Sequence, residues 1–258
     1  MPVICVANQK GGVGKTTTVA ALAQGLAEHQ KRILLIDWDP QASLTITCGF
    51  NPEDIERTGY DVLTSTIKND GSMSILDTIV QTSNPNIELV PANIELSQAQ
   101  LDLVGTHNRE LVLKEMILPV RNSYDYILID CLPSLGLLTI NALTAADKII
   151  IPLQADFLAM KGLGLLLSTV IRVTDRLNQD LEISGILFTM TSSRTLHCKE
   201  VIEVTKRAFS DRIRVFDTLI PISVRFKEAP AAGSSILTYA PNSIGADAYR
   251  LFTKEVLS

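Results

Sequence analysis

Residues 3–28 read as a strand, a glycine-rich turn and a helix in immediate succession, and few folds bring those three pieces together. The apolar run Val3-Ile4-Cys5-Val6-Ala7 has no polar alternation, which suits a strand buried on both faces. The segment Gln9-Lys10-Gly11-Gly12-Val13-Gly14-Lys15-Thr16-Thr17 follows, and a helical pattern runs from Thr16 to Glu28. A glycine-rich turn that enters a helix offers backbone N–H groups and a positive helix end to an anion, so it is suited to hold phosphate. Lys15 stands where such a loop keeps its phosphate-binding lysine, and Thr16 is placed to offer a hydroxyl to magnesium. The ordinary spacing G-x-x-x-x-G-K-[ST] asks for glycine where this chain has Gln9. What is filled instead is K-G-G-x-x-K-[ST], with Lys10 as an additional lysine.

The rest of the chain repeats the alternation of strand and helix. Apolar runs at Arg32–Ile36, Ile87–Val90, Tyr126–Ile129, Lys148–Pro152, Ile183–Thr189 and Val215–Ile220 read as strands. Helical patterns fall at Leu96–Val104, Arg109–Val120, Thr139–Ala146, Leu163–Leu177, Cys198–Phe209 and Ile244–Leu257. This order implies an α/β fold, a doubly wound and mostly parallel sheet with helices on both faces. The absence of a long linker or repeat makes residues 1–258 a single domain in this reading. The polar stretch Phe50–Pro85 is expected to hold loops and short helices. At 46% hydrophobic residues the chain can fill such a core. No run of about 18 apolar residues suggests a membrane span, and the first residues read as a core strand and not as a signal peptide. Cys5, Cys48, Cys131 and Cys198 form no C-x-x-C pair and suggest reduced, cytosolic thiols.

Two apolar strands run into acids. Ile36-Asp37-Trp38-Asp39-Pro40-Gln41 is one, and Ile129-Asp130-Cys131 is the other. The carboxyl ends of strands are where a doubly wound sheet places its ligands. Asp130 fits the acid that holds magnesium or its bound water. Asp37 and Asp39 flank one residue, so in an extended segment both point to one side. One of them is then available to orient an attacking water, and Asp37 is a weaker candidate near the metal.

Net charge is −5, but the segment Arg194–Lys227 carries eight basic and four acidic residues. Its local charge of +4 leaves −9 on the remainder. A basic stretch on an acidic protein is either a solvated helix face or the electrostatic footprint of a nucleic-acid contact.

Lys10-Gly11-Gly12-Val13-Gly14-Lys15-Thr16, Asp37-Trp38-Asp39-Pro40-Gln41 and Asp130-Cys131-Leu132-Pro133-Ser134 resemble the motifs of ParA-type partition ATPases, the deviant Walker A group that also contains MinD and Soj. The likeness extends to Leu187-Phe188-Thr189-Met190, to Val224-Arg225-Phe226-Lys227-Glu228-Ala229-Pro230 and to Gly245-Ala246-Asp247-Ala248-Tyr249. The resemblance implies an ATPase using ATP/ADP and Mg2+. It assigns Gly11 to Thr17 to nucleotide binding: Lys15 on the β- and γ-phosphates, Thr16 on magnesium and Thr17 in support. Lys10 becomes the signature lysine that reaches a partner subunit's nucleotide. Asp39 becomes the water-activating acid, Asp130 acts on magnesium through water, and Pro221 lines the adenine pocket.

The same resemblance implies a nucleotide-dependent homodimer that binds double-stranded DNA non-specifically, answers to a ParB-like centromere-binding protein, and works in the cytoplasm at the nucleoid of a bacterium or archaeon. Arg225, Arg194, Lys199 and Lys227 are the DNA-contact candidates. Departures from the pattern are Leu132 where many relatives carry proline, Trp38 where a smaller apolar residue is usual, and Pro221-Ile222-Ser223 in place of Pro-Arg-Asn. No helix-turn-helix segment precedes the loop, so operator-specific repression is not expected. A MinD-like membrane-associated ATPase is the alternative, and it needs a basic amphipathic tail where this chain reads Val256-Leu257-Ser258. A ParA-like ATPase that positions a protein cargo shares the same motifs.

Overall fold

The computed structural model describes residues 1–192, 196–209 and 212–258. In chain order the elements are β1 (Val3–Val6), α1 (Lys15–Glu28), β2 (Ile33–Trp38), α2 (Ser43–Thr47), α3 (Gly59–Lys68), β3 (Val80–Gln81), β4 (Ile87–Val90), α4 (Ala99–Val104), α5 (Val112–Ile117) and β5 (Tyr126–Cys131). They continue with α6 (Leu137–Ala145), β6 (Lys148–Gln154), α7 (Phe157–Arg176), β7 (Glu182–Thr191), α8 (Leu196–Phe209), β8 (Val215–Pro221), α9 (Arg225–Ala231), α10 (Ile236–Tyr239) and α11 (Ile244–Leu257). The eight described strands form one sheet in the order β3-β4-β2-β5-β1-β6-β7-β8. Every pairing is parallel except β3 with β4.

Period-2 alternation divides the strand side chains between two cores. Val3, Cys5, Leu34, Ile36, Ile127 and Ile129 face one side, where α3 to α7 cover them. Ile4, Val6, Ile33, Leu35 and Leu128 face the other, under α1, α10 and α11. Burial on both faces is why these strands carry no polar alternation. The doubly wound arrangement read from the sequence is therefore the observed one.

Winding changes direction at β1, which lies between β5 and β6. The carboxyl ends of β1, β2, β5 and β7 open onto a common crevice, the position at which such sheets hold ligands. The loop after β1 and the acids after β2 and β5 enter it together.

Several elements differ from the sequence expectation. The span Phe50–Pro85 contains α3, ten residues started by a reciprocal cap: Thr58 N–H donates to Asp61 Oδ2 at 2.7 Å, and Tyr60 N–H donates to Thr58 Oγ1. It also contains the two-residue strand β3. Helix α5 is shorter than Arg109–Val120: Asn108 takes a left-handed turn (φ 53°) before it, and the helix itself runs from Val112 to Ile117. Helix α7 begins at Phe157 and not at Leu163.

Close approach of α1 and α11 depends on Gly25. A Cβ there would stand 2.2 Å from Thr253 Oγ1 and 3.0 Å from Thr253 Cβ, and Thr253 is fully buried. Gly25→Ala gains helix propensity but forces the two helices apart, so a net loss of about 1–3 kcal/mol is expected. Urea denaturation would show the midpoint falling; a midpoint that rose would mean the helix pair yields without strain.

Candidate active site

Residues 7–14 turn sharply between β1 and α1. Gly12 and Gly14 take left-handed backbone, φ 71° and 85°, which a side chain would oppose. A Cβ at Gly11 or Gly12 would meet nothing within 4 Å, so this stretch of backbone borders open space that a phosphate can enter. The loop is held from behind. Asn8 is 2% exposed, donates from Nδ2 to Pro152 O at 2.7 Å, and accepts from Lys10 N–H at 3.0 Å. Thr189, in β7, donates to Val13 O at 2.8 Å. These anchors lie 144 and 176 residues from the groups they hold, and only Thr189 falls in a segment that the sequence singles out.

Lys15 opens α1 and is 7% exposed. Its Nζ donates to Lys10 O at 3.1 Å. Burial lowers the pKa of its ammonium, and the nearby acids Asp130 and Asp39 pull it back up. Thr16 donates to Asp130 Oδ2 at 2.6 Å. Asp130 is 1% exposed, and its other oxygen, Oδ1, is buried without a hydrogen-bond partner among the described residues. Burial, and then the charge of Asp37, raise its pKa well above the usual carboxylate range. A buried acid with an unpartnered oxygen, beside a hydroxyl at a helix start, suits a hydrated divalent cation. The donor set is all oxygen, as magnesium prefers.

Asp37, the weaker metal candidate, is engaged within the chain. Asp37 is fully buried, pairs across the sheet with Asp130, and has both oxygens occupied. Oδ2 accepts from Thr45 N–H at 2.8 Å and from its hydroxyl at 2.7 Å, while Oδ1 accepts from Asp39 N–H at 3.3 Å. The Thr45 hydroxyl also accepts from Ala92 N–H at 3.1 Å. Asp37 thus fastens α2 and the end of β4 to β2. Burial pushes its pKa up to about 7, against these hydrogen bonds. Asp39 lies beyond the end of β2, so the alternation of a strand no longer ties its direction to Asp37. It is half-buried, accepts from Gln41 N–H at 2.9 Å, and lines the open cleft.

That cleft has a volume of about 550 Å³. The phosphate loop, Lys15, Thr16 and Thr17 form its floor, and Asp39 stands at one side. Phe226, Lys227 and Pro230 of α9 form a wall that sequence reading did not place there. Lys227 therefore borders the cleft, while Arg225 and Lys199 are exposed on α9 and α8. Arg194 lies outside the described residues. Pro221 ends β8 beside Thr191, apart from the cleft lining. Trp38 is fully buried and donates to Leu138 O at 3.0 Å, so it packs behind the site. Lys10 is turned onto its own chain: Nζ donates to Gln154 Oε1 at 3.1 Å and to Asp156 Oδ2 at 3.0 Å.

A lysine- and glycine-rich loop at the switch point of a parallel sheet, with acids closing in from the next strands, defines a nucleotide-binding protein of the P-loop class. Residues 1–183 match the family model described as an AAA domain. The chain is 46% identical over 254 residues to the sporulation initiation inhibitor protein Soj of Bacillus subtilis, covering 98% of this chain and 97% of that protein. It is 40% identical over 258 residues to the chromosome partitioning protein ParA of Caulobacter vibrioides, covering 99% and 94%. Among solved structures it superposes on cobyrinic acid a,c-diamide synthase from Mycobacterium smegmatis with bound ADP and magnesium, with a TM-score of 0.86, 36% identity, and coverage of 100% and 94%. An aspartate-to-alanine variant of McdA from Cyanothece in complex with ATP gives a TM-score of 0.86 at 27% identity, covering 100% and 96%. The chain belongs to the family of the ParA and Soj chromosome-partitioning proteins. Among the described residues no helix is long and apolar enough to cross a membrane.

Proposed function

We propose that this protein is a magnesium-dependent ATPase whose ATP-bound homodimer holds DNA non-specifically and whose hydrolysis releases it, so that a chromosome or plasmid is partitioned. The observation that carries the reading is that Lys15, Thr16 and Asp39 line one cleft, with Asp130 bonded to Thr16 behind it and Asp130 Oδ1 without a hydrogen-bond partner among the described residues. The names of the ParA and Soj relatives supply the process.

Each residue has a physical task in this reading. The backbone of Gly11 to Gly14 and the start of α1 bind the phosphate chain. Lys15 neutralises the β- and γ-phosphates from a buried position where its charge is weakly screened. Thr16 would hold magnesium directly and Asp130 through water. The ion, when bound, offsets phosphate charge. Asp39 orients and polarises the attacking water from the open side of the cleft.

Lys10 completes the site in a second subunit. Its ion pair with Asp156 leaves both side chains 36% exposed, and pairs of that kind are worth about 0–1 kcal/mol. Leaving Gln154 and Asp156 for a partner's phosphates is therefore inexpensive, and ATP favours the dimer by being bound better there.

DNA contact falls to Arg225 and Lys199, with Arg194 as a further candidate. Arg207 and Arg214 are engaged within the chain by Glu203 and Glu255. Two subunits give about six phosphate contacts, and that number predicts roughly a 10³-fold loss of affinity between 50 and 200 mM salt. A ParB-like partner that stimulates turnover fits this cycle.

The test is retention of random-sequence duplex DNA with ATP, with ADP and without nucleotide. Strong retention with ATP alone, falling steeply with salt, is the expected result. Equal retention in all three states would refute the switch.

A further inference from the structure

Two segments singled out in the sequence, Val224–Pro230 and Gly245–Tyr249, supply none of the phosphate or magnesium groups just described, and the structure locks them together. Phe226 lies on α9 and lines the cleft. Its ring stands over Gly245 so closely that a Cβ there would be 2.7 Å from Phe226 Cζ and 3.2 Å from Cε1. The ring also meets Tyr249 edge-on, with centroids 5.8 Å apart and planes at 89°. Tyr249 is 1% exposed, and its hydroxyl lies 3.0 Å from Oγ1 of Thr18, which is fully buried. Thr18 follows Thr16 and Thr17 on α1, and its N–H donates to Gly14 O at 2.9 Å. A continuous line of packed and hydrogen-bonded groups therefore runs from the phosphate loop through Thr18, Tyr249 and Phe226 to the opposite wall of the cleft.

Helix α9 has little of its own to fix it. It is seven residues long, Pro230 interrupts its hydrogen bonding, and at its start the Ser223 hydroxyl accepts from Arg225 N–H at a long 3.3 Å. Its distance from the loop must be set by what it packs against. We propose that Gly245 and Tyr249 are positioning residues for nucleotide binding: acting through the ring of Phe226, they set how far the α9 wall stands from the phosphate loop. The inference rests on the reading of the cleft as the ATP site. It explains why residue 245 has no side chain, since any Cβ would drive Phe226 into the cleft or lift α9 away. It also explains a tyrosine hydroxyl at a fully buried position, where the bond to Thr18 fixes α11 against α1.

The experiment measures the ATP dissociation constant, KM and kcat of wild type, Gly245→Ala, Phe226→Leu, the double variant and Tyr249→Phe, with thermal melts alongside. Gly245→Ala should weaken ATP binding about tenfold with kcat within about twofold, and the double variant should lose several-fold less than the product of the two single losses. Tyr249→Phe keeps the ring contact and removes one buried hydrogen bond, so about a fivefold loss of ATP affinity is expected. It serves the same purpose if Gly245→Ala does not fold. Unchanged ATP affinity in Tyr249→Phe, or single losses that simply multiply, would overturn the proposal, because a purely structural clasp moves the melting temperature alone. Wild-type protein that fails to bind ATP would instead defeat the reading of the cleft.

Discussion

Lys15→Ala is expected to lower ATP turnover on the order of 100-fold or more and to abolish ATP-dependent retention of DNA. The magnitude follows from where the ammonium lies. It is 7% exposed, next to a buried acid pair, and its hydrogen bond among the described residues goes to the carbonyl of Lys10. In such a place the field of a charge is weakly screened, and an alanine leaves the β- and γ-phosphates without their closest cation. The same alanine removes the cation that offsets Asp130 and Asp39. Folding must therefore be read separately from binding. A variant with a wild-type far-ultraviolet spectrum and no nucleotide affinity supports the assignment, and near-normal affinity in that variant would remove Lys15 from the phosphate site.

The loop was legible because its chemistry is local. Strand, glycines and lysines lie within 28 residues, and the backbone they imply is the backbone observed. The buried strands were legible for a related reason: burial on two faces forbids polar alternation, so Ile33–Leu35 or Ile149–Ile151 have few other readings. Legibility ended where an element depends on a distant partner. Strand β3 is two half-exposed residues that exist as a strand only because they pair antiparallel with β4. Helix α7 starts at Phe157, six residues before the periodic pattern. Helix α3 begins at Thr58-x-x-Asp61, a cap that was passed over in a polar stretch.

The site divides the same way. Asn8 supports the loop through Pro152, and Thr189 does so through Val13; neither bond follows from spacing. Strand alternation does not carry Asp37 and Asp39 to one side. The strand stops at Trp38, so Asp37 stays inside with Thr45 while Asp39 turns into the cleft. The wall formed by α9 needed the fold, since Lys227 reads as one more cation in a basic stretch until the helix is seen beside the phosphate loop.

Asp39→Ala is expected to separate binding from hydrolysis. Asp39 makes no hydrogen bond to the phosphate loop; its carboxylate accepts from Gln41 N–H and otherwise faces the cleft. Removing it leaves the hydrogen bonds of Lys15, Thr16 and Asp130 as they are and takes away only a half-exposed acid near Lys15, so ATP affinity should stay within about threefold of wild type. Loss of a positioned general base or water-orienting group costs about 10²–10⁴ in rate, and turnover should fall by that amount. The two effects together predict a particular state. On the proposed cycle ATP enters, the dimer forms with Lys10 of each subunit across the other's nucleotide, and nothing ends the cycle. The variant should elute as a dimer in ATP, retain DNA through a wash that releases wild type, and fail to respond to a partner that stimulates wild-type hydrolysis. Size-exclusion chromatography with ATP, combined with a DNA-release time course, reads both effects. A variant that hydrolyses ATP at the wild-type rate would move the water-activating role away from Asp39. One that neither dimerises nor binds ATP would place Asp39 in nucleotide binding, and the division of labour between the buried acid Asp130 and the open acid Asp39 would then have to be redrawn.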